Sequence, residues 1–169
     1  LPNGVHTFGA QTHPADGNIG MLVTTRDRAK ELSKDPGIEV QVISYGYHRA
    51  KLGFMAAAVV PACRMALEEG GVDIKDVKVI KTHNPFSAND IFLATEFGID
   101  VMGFNNYGSS IVFGHPQGPT AGRCIIEGIE EAAMNGGGYM LFGGCAAGDT
   151  AGALLIKVGP EDTGEVRTR

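Results

Sequence analysis

Three side chains able to hold or move a proton fall at the ends of predicted strands. His83 follows the apolar run Val77 to Thr82, His115 follows Ile111 to Phe113, and Cys145 lies just past Tyr139 to Phe142. Such ends are where open α/β sheets place their ligands. Each residue has a telling neighbourhood. His83 opens His83-Asn84-Pro85-Phe86. His115 sits in Gly114-His115-Pro116, with Gly118 and Pro119 beyond it, and these leave room for close backbone approach and fix local dihedrals. Cys145 is set among Gly143, Gly144, Ala146 and Ala147, so no large side chain walls off its thiol. A Cys/His set can attack a carbonyl as thiolate. It can equally exchange protons at carbon, and the order of residues does not choose between the two. The remaining candidates read as structure. His6 and His13 are expected at the surface, and Cys63 and Cys124 are expected to pack inside helices.

The elements that must position these groups follow from the hydrophobic pattern. Residues 1–17 are an irregular lead-in rich in Gly, Pro, Asn and His. Asn18 to Thr25 is a continuous apolar run, expected as a buried strand. Asp27 to Lys34 reads as a short helix stopped by Asp35-Pro36-Gly37. Ile38 to Tyr45 alternates, as a strand with one covered face does. A helix is expected over Ala56 to Glu69, regular from about Pro61 and stopped by Gly70-Gly71. Val77 to Thr82 is a strand, and Ser87 with Asp90 suggests a capping box for a helix over Ala88 to Phe97. The strongest helix is Thr120 to Asn135, with Ala121, Cys124, Ile125, Gly128, Ile129 and Ala132 on one stripe. Tyr139 to Phe142, a small-residue turn over 143–149, and Thr150 to Val158 close the pattern as a hairpin. The alternation predicts a layered α/β domain over residues 18–158, with helices flanking a mixed, mostly parallel sheet that carries one antiparallel addition. Residues 159–169 read as a polar tail.

Composition bounds the rest. At 169 residues, 43% hydrophobic and 20% charged, the chain reads as one globular domain. A formal net charge of −5 and the lack of a basic stripe argue against nucleic acid. No apolar run is long enough to span a membrane, and the first residues do not resemble a signal core. They also lack a starting Met, which suggests a processed piece or a fragment. Three cysteines without CxxC spacing suit a reducing compartment, and cytoplasmic localisation is expected. The five histidines are scattered, so no metal is expected.

Taken in order, His83-Asn84-Pro85-Phe86, Gly114-His115-Pro116 and Cys145-Ala146-Ala147 resemble the ordered motifs of the C-terminal half of a thiolase. Family members carry an Asn-Glu-Ala-Phe or His-Asp-Cys-Phe type motif, then Gly-His-Pro, then Cys-X-Gly before the last strand. The resemblance spans roughly residues 15 to 158, and the histidine at 83 is closest to the sterol-carrier-type and archaeal or anaerobic-bacterial branch. It implies a thiolase-type half that pairs with a second similar half, and an acyltransferase that cleaves a 3-ketoacyl-CoA or runs the reverse Claisen condensation. His115 would take the proton of a nucleophilic cysteine thiol. Cys145 would exchange the α-proton of the acyl group, from a thiol tuned toward neutrality. His83 would stand where many thiolases use Asn to position a water in an oxyanion hole. Phe86 would line the acyl pocket beside Gly114, and the backbone N–H of Ala147 would serve a second oxyanion. No cofactor is implied, coenzyme A being a substrate.

Two departures from the family pattern stand out. Ala147 replaces the family's Gly and would be strained if that position needs a positive φ. The nucleophilic cysteine of thiolases belongs to the N-terminal half, and this chain shows no equivalent. An N-terminal half bearing it, in a homo- or hetero-oligomer, is therefore an expected partner, as is acyl-CoA. A small zinc-ribbon and oligonucleotide-fold-like accessory protein is a further partner that the resemblance implies. The alternatives are a non-catalytic thiolase-like acyl-CoA-binding or scaffold subunit, and a ketoacyl or hydroxymethylglutaryl synthase relative.

Overall fold

The structure is a computed structural model that describes residues 3–160. The expected polar tail lies outside those residues from 161 on. In chain order the elements are α1 (Arg26–Leu32), β1 (Glu39–Arg49), α2 (Val59–Gly70), β2 (Val77–His83), α3 (Ser87–Phe97), α4 (Ser110–Phe113), α5 (Pro119–Met134), β3 (Gly138–Ala146) and β4 (Thr150–Gly159). The punctuation acts as its chemistry requires. Gly71 and Gly98 close α2 and α3 at φ 65° in the left-handed region, and Pro119 opens α5 where its missing N–H costs nothing.

The four strands form one sheet in the order β1-β4-β3-β2. β2 pairs with β3 in parallel, whereas β4 is antiparallel to both β3 and β1. Three strands thus share one direction, and the single reversed strand is the expected return of the hairpin. It lies inside the sheet and not at its edge, so only one neighbouring pair is parallel. Side chains of β3 and β4 alternate between two cores. Leu141, Cys145, Ala151, Ala153 and Leu155 pack with α2 and α3. Met140, Phe142, Ile156 and Val158 pack with Cys124, Ile125 and Ala132 of α5. α2 lies so close to β1 that a Cβ on Gly46 would stand 2.0 Å from the Ala62 carbonyl oxygen. The other face of β1 is open: Val40, Val42, Tyr45 and Tyr47 are all exposed.

Several expectations fail for physical reasons. Asn18 to Thr25 forms no strand: none of its backbone meets a strand among the described residues, and Leu22 and Val23 stay exposed. Ile111 to Phe113 belongs to one helical turn, α4, closed by the Gly114 N–H on the Ser110 carbonyl at 2.9 Å. Three apolar residues are too few to display a period, so strand and turn could not be told apart. The Ser87/Asp90 capping box does not form. Phe86 holds the N-cap position without a side-chain cap, because Asp90 is drawn inward by other donors. β3 runs on through residues 143–146, so the small-residue turn is confined to 147–149 and Cys145 lies within the strand.

Candidate active site

The parallel register of β2 and β3 sets His83 opposite Gly144, next to Cys145. The His83 Nδ1–H donates to the Cys145 carbonyl at 3.2 Å. A carbonyl can only accept, so the neutral ring carries its proton on Nδ1 and leaves Nε2 bare. That Nε2 is buried with no partner among the described residues. Burial first, then the nearby His115 and Arg123, push the His83 pKa down to about 4, against the opposing pull of the Cys145 carbonyl.

His115 stacks on His83, with ring centroids 4.3 Å apart at 30°. It follows α4 on a turn where Gly114 has φ 84°, and a Cβ there would meet Ala15 at 2.6 Å. The His115 N–H donates to the His13 carbonyl at 2.8 Å, and its Nδ1 sits 2.6 Å from Thr120 Oγ1 in the first turn of α5. Burial holds its pKa below the ordinary histidine value, so both imidazoles are neutral at pH 7.

Cys145 is buried, and Asn89 Nδ2 of α3 approaches its Sγ at 3.6 Å. Burial pushes this thiol up, although its own backbone N–H and, after it, the Asn89 contact pull the other way. The expected tuning toward neutrality is not what these surroundings do. Cys63 and Cys124 are packed as expected: both are buried, and burial pushes Cys63 up to about 12. Ala147 carries no strain, since the left-handed residues of its turn are Gly148 and Asp149. Phe86 is 37% exposed and meets His6 edge-on at 5.3 Å. His13, expected only as a surface residue, also lends its carbonyl to the site.

The structure therefore stacks His83 on His115 and sets His83 on the Cys145 carbonyl, while the Cys145 thiol turns to Asn89 on the α2 and α3 side of the same strand end. Other contributors carry a weaker sequence signal. Buried Asp90 accepts from Thr82 Oγ1, from Asn84 Nδ2 at 2.6 Å and from Asn105 Nδ2 at 3.2 Å. Thr82 and Asn84 bracket His83, while Asn105 leads into the segment that ends at His115. The lead-in straps the same segments together: the Thr12 N–H reaches the Pro85 carbonyl at 2.8 Å, and its hydroxyl reaches the Ser110 carbonyl. Thr120 lies five residues after His115, a spacing that points back to the ring once a helix starts there. Among the described residues, no group of His, Cys, Asp and Glu is arranged to hold a metal ion.

The family model described as thiolase, C-terminal domain, matches residues 38–158. The chain belongs to this thiolase family. This thiolase domain is 29% identical over 179 residues to a 3-ketoacyl-CoA thiolase of Aliivibrio fischeri, covering 90% of the chain and 39% of that protein. It is 30% identical over 181 residues to a 3-ketoacyl-CoA thiolase of Aeromonas salmonicida, covering 92% and 39%. Its fold matches an acetyl-CoA acetyltransferase of Bacillus anthracis with a TM-score of 0.71 at 24% identity, over 79% of this chain and 34% of that one. The thiolase chain described here thus spans 39% of the length of the curated relatives it matches.

Proposed function

We propose that this domain supplies the proton-handling and charge-stabilising side of an acyl-CoA thiolase site, whose attacking cysteine comes from an N-terminal half. The observation that carries the reading is the convergence of His83, His115 and Cys145 on one end of the sheet. Each group suits its role. Thr120 fixes Nδ1 of a neutral His115, which leaves the other nitrogen to take a proton from the incoming thiol. The bare Nε2 of His83 accepts a hydrogen bond from a water, whose second hydrogen can donate to a thioester oxygen as it gains charge. Cys145 rests as a thiol, the form needed to protonate an α-carbon when the carbon–carbon bond breaks. In condensation the same proton moves from carbon to sulfur. Phe86, Gly114 and the Ala147 N–H border this place and are assigned to the acyl group and its oxygen. The open face of β1 and the unpaired run at 18–25 are the surfaces we assign to the N-terminal half.

The test is to supply that half and assay coenzyme A-dependent cleavage of a 3-ketoacyl-CoA. Cys145→Ala is expected to abolish cleavage and condensation yet leave acylation of the partner cysteine by a simple acyl-CoA visible by intact mass. His115→Ala is expected to impair both steps. Equal loss of acylation in both variants would overturn the division of labour, and substrate binding without turnover in the unaltered pair would favour a scaffold.

A further inference from the structure

Cys145 needs help to ionise, because burial disfavours its thiolate and neither histidine is charged at pH 7. One side chain is placed to give it. Asn89 is the third residue of α3, so the helix fixes its backbone through the Asn89 N–H on the Phe86 carbonyl at 3.0 Å. Its side chain is 6% exposed, and its Nδ2 points at Cys145 Sγ from 3.6 Å. Its Oδ1 is buried with no partner among the described residues. A buried amide normally finds strong partners on both ends, since an unmet one costs about 1–3 kcal/mol. A neutral thiol is a weak acceptor and meets that need poorly, whereas a thiolate meets it well. The site is therefore arranged for the charged form of the sulfur and tolerates the uncharged one.

We infer that Asn89 is a further catalytic residue, whose amide holds the Cys145 sulfur and stabilises the thiolate that takes the α-proton and is left when that proton returns to carbon. The inference rests on the thiolase reading for the proton's destination. The proton moves from the α-carbon to sulfur and back, and no bond forms to Asn89. The titratable and charged groups around the sulfur are few. β2 contributes His83, which binds the Cys145 carbonyl and not the thiol, with His115 stacked behind it. α3 contributes Asp90, turned away toward Thr82, Asn84 and Asn105. α5 contributes Arg123, which acts on His83. β4 sets Ala151 opposite Cys145; the other titratable groups of its cluster are Cys63 of α2, kept neutral by burial that pushes its thiol up to about 12, and Tyr139 at the start of β3. Asn89 is the one side chain among them that donates to the sulfur.

The experiment follows the ionisation of Cys145 in the 169-residue chain by 13C NMR of labelled cysteine, with the signal assigned through Cys145→Ser. Asn89→Leu keeps the shape and removes the donor. It is expected to raise the Cys145 midpoint by about one pH unit, a tenfold loss of thiolate at fixed pH. Asn89→Asp, which matches the shape and adds a repelling charge, is expected to raise it at least as far, and it serves if the Leu variant does not fold. In the completed enzyme, Asn89→Leu should slow α-proton exchange of acyl-CoA about tenfold and leave acylation of the partner cysteine unchanged. An unmoved midpoint in both variants overturns the inference, even if the enzyme turns over. A moved midpoint in a pair without thiolase activity supports the sulfur contact and sinks the functional reading instead.

Discussion

At the scale of single residues, the two imidazoles make the stability of the domain depend on pH. The folded-state pKa of His83 lies near 4, below the ordinary histidine value of 6.5. The unfolded chain therefore binds more protons between these values, and the stability His83 contributes is full above about pH 6.5 and lost as pH falls toward 4. His115 acts in the same direction. Asp90 opposes them, since burial raises its pKa and its protonation suits the folded state as pH falls. The melting temperature is expected to drop from pH 6.5 to 4, and His83→Asn is expected to flatten that drop, by at most about 3 kcal/mol at pH 4. Calorimetry at matched ionic strength across the interval checks this. A variant that melts with the unaltered slope would show that the burial of His83 is not what disfavours its charge.

Between elements, two contacts decide how the layers fit. Gly46 of β1 faces α2 with no room for a side chain, since the nearest atom is backbone and cannot turn aside. Gly46→Ala is expected to cost about 3 kcal/mol or more, whereas Gly152→Ala, whose added methyl meets nothing closer than 4.0 Å, stays within about 0.5 kcal/mol. Urea unfolding of the two variants side by side tests the contrast. The second contact is a buried ion pair between Lys81 of β2 and Glu131 of α5 at 2.8 Å, with side chains 0% and 5% exposed. Asn106 donates to the same carboxylate at 2.7 Å, and the Lys81 ammonium lies 4.9 Å from the centre of the Tyr107 ring. Lys81→Met alone is expected to cost about 3–5 kcal/mol, because it strands a buried charge. Lys81→Met with Glu131→Leu is expected to recover most of that in chemical denaturation, the exposed Asn106 turning to water.

These contacts also mark what the chain made legible. The helices α2, α3 and α5 and strands β1 to β4 follow from apolar period and from Gly and Pro punctuation, which are local. The three candidate site residues follow from ordered motifs. Lys81 and Glu131 were hidden because a charged residue inside a strand and another on a helix each read as solvated, and only their meeting across the sheet makes them core. Asn89 and Asp90 were hidden for a similar reason, since acidic and amide residues in a first helical turn ordinarily serve the helix itself. The run at 18–25 misled because hydrophobicity reports that a segment wants cover and not which surface supplies it.

For the whole molecule, the open side of β1 is an apolar face left uncovered among the described residues. Val40, Val42, Tyr45 and Tyr47 present an apolar stripe on the face away from α2, beside the β4 residues Leu154, Ile156 and Val158 that α5 covers. Such a stripe rarely persists bare. Tyr45→Glu with Tyr47→Glu is expected to change the stability of this domain by no more than about 1 kcal/mol and to abolish co-elution with the N-terminal half in size-exclusion chromatography. Retained co-elution would move the joint elsewhere.

The position of β4 has a consequence for how the domain is made. Among the described residues β1 pairs with β4 alone, from Glu39 with Gly159 to Arg49 with Thr150. A ribosome therefore releases β1 well before it has made the strand that β1 needs, and the wait leaves a long edge exposed to other nascent chains. Synthesis halted ahead of Thr150 would strand β1 and uncover one side of β3 together, so β1 can join the sheet only once that last strand is made.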